Sequence, residues 1–110
     1  MDRPNVAIVT GAGSGIGRAA ALMLAREGYA VVLVGRDRGR LEGVAGEIGA
    51  GSPTAPAGNA HVVPADLSTP EGNEQMVAAA VERFGRLDVL VNNAGWSPLV
   101  SVADADGATV

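Results

Sequence analysis

The sequence predicts an α/β fold, a parallel sheet covered by helices on both faces. Three observations predict it. Four short, continuously apolar, valine-rich runs recur along the 110 residues: VAIVT (6–10), AVVLVG (30–35), HVVPA (61–65) and DVLVNN (88–93). Helical patterns separate them, so the order is β-α-β-α-β-α-β. A stretch dense in glycine joins the first run to the first helical pattern. Continuous rather than alternating apolarity means burial on both faces, which a helix-covered parallel sheet provides. Right-handed crossovers are then the expected connections.

Each element has its own signals. The first helical pattern, 15–27, puts Ile16, Ala20, Met23 and Leu24 on one predicted inner face, with Arg18, Arg26 and Glu27 toward water and Gly28 as a C-terminal stop. The second, 38–48, places Leu41, Val44, Ala45 and Ile48 at i, i+3, i+4 and i+7; Gly39, Gly43 and Gly46 weaken it. The stretch GAGSPTAPAGNA (49–60) has no periodicity and reads as a surface connection. Pro64 moves the third strand toward an edge or a strand end. The third helix, 70–84, is announced by Ser68 with Glu71 three residues on and by Pro70 in the first turn. Val77, Ala80, Val81 and Phe84 form its expected apolar stripe, and Gly85 ends it. Residues 1–110 read as a single domain.

Composition excludes several functions. The net charge of −4 supplies no basic footprint for nucleic acid. Without cysteine there are no disulfides and no thiolate metal sites. The apolar runs are strand-sized, short of a membrane span, and the N-terminus has no signal-peptide apolar region, so a cytoplasmic protein is expected. All eight basic residues are arginine, so the chain has no lysine.

The stretch VTGAGSGIGRAA (9–20) raises the question of what its glycines admit. A helix N-terminus carries unpaired N–H groups and partial positive charge, and glycines let a phosphate approach main-chain nitrogens. A P-loop is excluded, because no Lys-Ser or Lys-Thr follows. The strict G-x-G-x-x-G fingerprint also fails. What fits is T-G-x-x-x-G-x-G, on Thr10, Gly11, Gly15 and Gly17. This spacing resembles the glycine motif of the short-chain dehydrogenase/reductase family. GRD (35–37), ADL (65–67) and NNAG (92–95) match that family in the right order after strands two, three and four.

The resemblance implies a Rossmann-type doubly wound sheet in strand order 3-2-1-4, incomplete relative to the family. Helices one and two would lie on one face and helix three on the other, with strand four at an edge. It also implies a nicotinamide dinucleotide as ligand. Gly11, Gly13, Ser14, Gly15, Ile16 and Gly17 would form the phosphate-binding turn. Asp66 would accept a hydrogen bond from the adenine amino group, and Leu67 would supply a backbone contact. Asn92, Ala94 and Gly95 would lie beside the ribose and phosphates; Asn93 either joins them or ties neighbouring strands. Where many members have a ribose-binding acid at the end of strand two, this chain has Gly35 followed by Arg36, which suits a 2′-phosphate and favours NADP over NAD. Asp37 and Ser14 argue for NAD.

The family's chemistry is hydride transfer between the nicotinamide and an alcohol or carbonyl carbon, using a Tyr-x-x-x-Lys pair and a serine. Tyr29 is the only tyrosine, Leu33 stands four residues later, and the chain has no lysine. Ser97 and Ser101 come too early to be the serine. No catalytic residue and no metal ligand is therefore assigned. The expectation is the N-terminal cofactor-binding portion of a longer oxidoreductase, inactive, marginally stable and aggregation-prone by itself, whose full-length form is a homo-oligomer. A small non-catalytic dinucleotide-binding protein and an inactive remnant are the alternatives. The substrate is open.

Overall fold

The structure, a computed structural model, describes residues 4–51 and 59–93. Seven elements alternate along the chain: β1 (Val6–Thr10), α1 (Gly15–Arg26), β2 (Ala30–Gly35), α2 (Arg38–Gly51), β3 (Ala60–Pro64), α3 (Pro70–Phe84) and β4 (Val89–Val91). The strands form one parallel sheet in the order β3-β2-β1-β4. Ile8 is in register with Val32 on one side and Leu90 on the other, and Val32 with His61. Pro64 is the last residue of an edge strand, where its missing N–H costs no ladder bond.

The sheet has a helix layer on each face. Val9, Val31 and Leu33 point into a cluster with Ala21 and Ala25 of α1 and Leu41, Val44 and Ile48 of α2. Val6, Ile8, Val32 and Val34 point the other way, to Met76 and Ala80 of α3. The residues of β1 are fully buried, which explains the absence of polar alternation in the sequence of this strand.

Two helix faces differ from the sequence expectation. In α1 the buried residues are Gly17, Ala21 and Ala25, at i, i+4 and i+8; Ile16 is 76% exposed and Met23 57%. In α3 they are Gly72, Met76 and Ala80, and Val81 is half exposed. The cause is close approach. A Cβ at Gly17 would overlap the carbonyl oxygen of Gly11 and lie 2.7 Å from its carbon, and a Cβ at Gly72 would do the same to the carbonyl of Asp66. Each is the third residue of its helix and meets the carbonyl six residues earlier, at the exit from the preceding strand. At the closest approach of each helix to the preceding strand exit, glycine wins because a larger residue does not fit there.

The cap of α3 also shifts by one residue. Thr69, not Ser68, is the N-cap: its hydroxyl accepts the N–H of Gly72 at 3.0 Å. Ser68 is engaged by Asp66 instead. Gly85 ends α3 at φ 83° and Gly28 follows α1 at φ 94°, both in the left-handed region where a side chain is strained. Asp37 caps α2 by accepting the N–H of Arg40 at 3.1 Å. Helix α2 runs three residues beyond the predicted end at residue 48, and Arg18 of α1 pairs with Glu47 of α2, through Nε to Oε1 at 2.8 Å and through a second guanidinium contact.

β4 is shorter than the run DVLVNN, and at both of its ends side-chain bonds take over part of the pairing with β1. Asp88 accepts the N–H of Val6 at 2.8 Å, and its own N–H donates to the Val6 carbonyl at 2.9 Å. The Arg86 guanidinium grips the same carboxylate with two bonds, at 2.8 and 2.7 Å. Arg86, with help from the Val6 N–H, holds the Asp88 carboxyl below the usual carboxylate range. A depressed folded-state value stabilises the fold above the ordinary aspartate pKa of about 3.9 and ceases to do so as pH falls through the folded value. Replacing Asp88 with asparagine should therefore lower the urea midpoint at pH 7 and flatten its decline below about pH 4. Midpoints measured from pH 7 to pH 2.5 check this; an unchanged acid slope would show that the carboxylate has no such role.

Candidate functional site

Those of the residues singled out from the sequence that the structure describes gather at the carboxyl ends of the strands. The chain leaves β1 into the glycine turn, β2 into Gly35 and Arg36, β3 into Asp66 and Leu67, and β4 into Asn92. Strands two and three build outward from β1 on one side, and β4 lies on the other. The crevice at such a reversal is where open α/β sheets bind ligands.

The turn between β1 and α1 is fixed from below and open above. Gly11 and Gly15 both have φ 60°, which only glycine adopts without strain. Buried Ala12 pins the turn to β2 by donating its N–H to the Val34 carbonyl at 3.2 Å. A Cβ at Gly13 would meet the Cβ of Arg40 at 3.0 Å, so this glycine lets α2 close on the turn. Gly17 lies underneath and is buried, a close-packing position. A Cβ at Gly15 would meet nothing within 4 Å, and Ser14, Gly15 and Ile16 are exposed.

The two helix starts differ in a way that bears on ligands. α3 has a capping hydroxyl from Thr69 and an acidic residue, Glu71, in its first turn. α1 has neither: the Ser14 side chain makes no cap hydrogen bond, and no acid stands in the first turn. The start of α1 is thus an electropositive helix end that receives no side-chain cap from Ser14 and no counter-charge from its own first turn. These features fit a phosphate-bearing ligand.

Thr10 closes the floor of the site. Among the described residues it is the buried polar one. Its hydroxyl accepts the N–H of Asn93 at 2.6 Å and lies 3.1 Å from Oδ1 of Asn92 and 3.3 Å from the Val91 carbonyl, either of which can take its proton. It sets the course of the chain after β4. Nδ2 of Asn93 would be 3.0 Å from a Cβ at Gly17, so Asn93 packs beside the first turn of α1. In the sequence Thr10 stands out only as a motif position, and its place directly after four apolar strand residues is the signal for a buried hydroxyl. Ala94 and Gly95 lie outside the described residues.

Beyond β2 and β3, Arg36 and Asp66 face each other. Nη2 of Arg36 donates to Oδ1 of Asp66 at 3.3 Å, and Ser68 donates to the same oxygen through its hydroxyl at 2.6 Å and its N–H at 2.9 Å. The Ser68 bonds hold the Asp66 carboxyl below the usual range, with Arg36 as a smaller influence. The N–H of Ala65 donates to the Gly35 carbonyl at 2.8 Å, which ties the two strand exits together. The Leu67 side chain packs on the α3 side of the core, and its carbonyl accepts Nδ2 of Asn73 at 3.0 Å. Its backbone oxygen is thus already used within the chain. Asp37 points to its own helix, as cap and as partner of Arg40. Gly35 ends β2, as the sequence predicts. Among the described residues no helix is long and apolar enough to cross a membrane, and no cluster of acidic or histidine side chains could hold a metal.

A doubly wound parallel sheet with a glycine turn and an uncapped helix start at its switch point is a Rossmann-type nucleotide-binding fold. The chain belongs to the short-chain dehydrogenase/reductase family: the family model described as short chain dehydrogenase matches residues 5–110. It is 50% identical over 100 residues to an L-rhamnose 1-dehydrogenase (NAD(P)(+)) of Azotobacter vinelandii, covering 88% of this chain and 38% of that protein. The structure is similar to that of a glucose dehydrogenase of Caenorhabditis elegans, with a TM-score of 0.78 and 39% identity over 96% of this chain and 42% of the other. It is also similar to an alcohol dehydrogenase of Thermococcus sibiricus complexed with 5-hydroxy-NADP, with a TM-score of 0.71 and 38% identity over 80% of this chain and 36% of the other. The chain spans little more than a third of the length of the curated relatives it matches.

Proposed function

We propose that these residues form the cofactor-binding part of a cytoplasmic NAD(P)-dependent oxidoreductase that moves hydride between a nicotinamide and an alcohol or carbonyl carbon. The observation that carries this reading is the open start of α1 at the strand ends, in a chain of this family. When bound, the dinucleotide supplies the hydride donor or acceptor. The chain's own residues bind and orient it. The turn from Gly11 to Gly17 offers main-chain nitrogens and a helix end to the phosphates. Asp66 accepts from the adenine amino group, and Leu67 adds a backbone contact through its N–H. Asn92 lines the ribose and phosphate side. Arg36 takes the 2′-phosphate, so NADP is preferred to NAD.

The reaction itself is not assigned to these residues. The family's Tyr-x-x-x-Lys pair needs a lysine, and none occurs here. The longer enzyme would supply that pair and the contacts to the alcohol or carbonyl substrate, and would assemble as a homo-oligomer. A non-catalytic dinucleotide binder is the second reading, and the same absence of lysine favours it.

Titration of the chain with NADPH and NADH, followed by nicotinamide fluorescence and calorimetry, tests the reading. NADPH should bind more tightly. Replacing Arg36 with alanine should weaken NADPH by about 1–3 kcal/mol and NADH far less, as expected when a charge-assisted hydrogen bond to phosphate is lost. Equal losses would remove Arg36 from 2′-phosphate recognition. Absence of binding to either cofactor would overturn the proposal, and oxidation of NADPH with a carbonyl substrate above background would overturn the separation of binding from catalysis.

A further inference from the structure

One carboxylate oxygen at the adenosine end of the site serves two partners. Oδ1 of Asp66 receives both Ser68 donors and the Arg36 guanidinium, while Oδ2 accepts no hydrogen bond among the described residues. Ser68 thus fixes the carboxylate with one oxygen turned to its neighbours and one left over. The Arg36 side chain is 77% exposed and that of Asp66 51%, so their pairing is a surface contact. Such pairs are weak and easily exchanged for a better anion.

We propose that Asp66 is a specificity-determining residue for the choice of dinucleotide, because it competes with the 2′-phosphate for the Arg36 guanidinium. The proposal rests on the reading of Arg36 as the 2′-phosphate ligand. A phosphate monoester carries close to two negative charges at neutral pH and takes guanidinium in a bidentate, charge-assisted geometry. To make that contact Arg36 must give up Asp66. A ribose with a free 2′-hydroxyl asks nothing of Arg36, and the pair persists. Asp66 therefore acts on one cofactor and not the other, beyond any contact with adenine that both would share. The free Oδ2 leaves room for that shared contact.

The experiment uses 2′,5′-ADP and 5′-AMP, the adenosine ends of NADP and NAD, titrated into the 110-residue chain by calorimetry. The reading is the ratio of their dissociation constants. Asp66→Asn keeps an oxygen for the Ser68 donors and removes the charge that holds Arg36. It should raise the preference for 2′,5′-ADP by about two- to fivefold, the scale of an exposed ion pair, whatever it does to both ligands in common. Arg36→Ala should bring the ratio near one, and Arg36→Ala/Asp66→Asn should match Arg36→Ala, since no guanidinium remains to compete for. A wild-type preference abolished by Arg36→Ala but unchanged or reduced in Asp66→Asn overturns the competition alone. A ratio higher in the double variant than in Arg36→Ala also overturns it, because simple repulsion by Asp66 would then suffice. A wild-type ratio near one and insensitive to Arg36→Ala overturns the Arg36 reading and the proposal with it.

Discussion

Replacing Gly17 with alanine is expected to destabilise the fold by at least about 3 kcal/mol, at or beyond the upper end of overpacking costs. The added methyl would occupy the position of the Gly11 carbonyl, which is backbone and cannot swing aside as a long side chain would. Either α1 lifts from the sheet, uncovering Ala21 and Ala25, or the glycine turn moves outward and loses the Ala12 bond to Val34. Both responses displace the helix start that receives phosphate. Nucleotide binding should therefore disappear together with the cooperative urea transition. A variant with a wild-type urea midpoint would show that the helix is not held this close to Gly11.

Replacing Gly72 with alanine should cost a similar amount, about 3 kcal/mol or more, for the same steric reason on the other face of the sheet. Here the methyl would collide with the carbonyl of Asp66 and sit 3.2 Å from Oγ1 of Thr69, the capping hydroxyl. Relief requires the β3 exit to shift, which moves Asp66 and breaks the cap. The α1 turn lies on the far face and is untouched. In conditions where the variant still folds, its loss of affinity should fall on adenosine-containing ligands, with weak binding of inorganic pyrophosphate retained. Calorimetry with 5′-AMP and pyrophosphate separates the two. Loss of both in a folded variant would mean that the two turns are not independent.

The strands were legible to within one or two residues because runs such as VAIVT and AVVLVG carry no polar interruption, and only burial on both faces permits that. The glycine turn and the strand exits were legible as motif positions. Helix faces were less so. A reading weighted by hydrophobic size puts Ile16, Met23 and Val81 inward, whereas the distance between helix and sheet is set by Gly17, Ala21 and Ala25, or by Gly72 and Ala80. The spacing of small residues at i, i+4 and i+8 was the available signal for α1. Adjacent hydroxyls at Ser68 and Thr69 could not be ranked as caps by spacing, because the outcome depends on Asp66 claiming Ser68. The Arg36–Asp66 contact joins residues thirty positions apart and follows from strand order, not from any local pattern.

The bonds that seat β4 against β1 have a consequence for the order of assembly. Val6 waits for Asp88, and Thr10 waits for Asn92, each 82 residues further along the chain. During synthesis β1 can pair with β2 as soon as α1 and β2 have emerged, and β3 can follow. Its second edge stays unsatisfied until residues 88–93 leave the ribosome. At about 5–20 residues per second, the roughly fifty residues between the end of β2 and the start of β4 keep that edge open for several seconds. The strand at the centre of the finished sheet is thus a free edge during its own translation, and that interval is when a nascent chain of this kind is most exposed to pairing with the wrong neighbour.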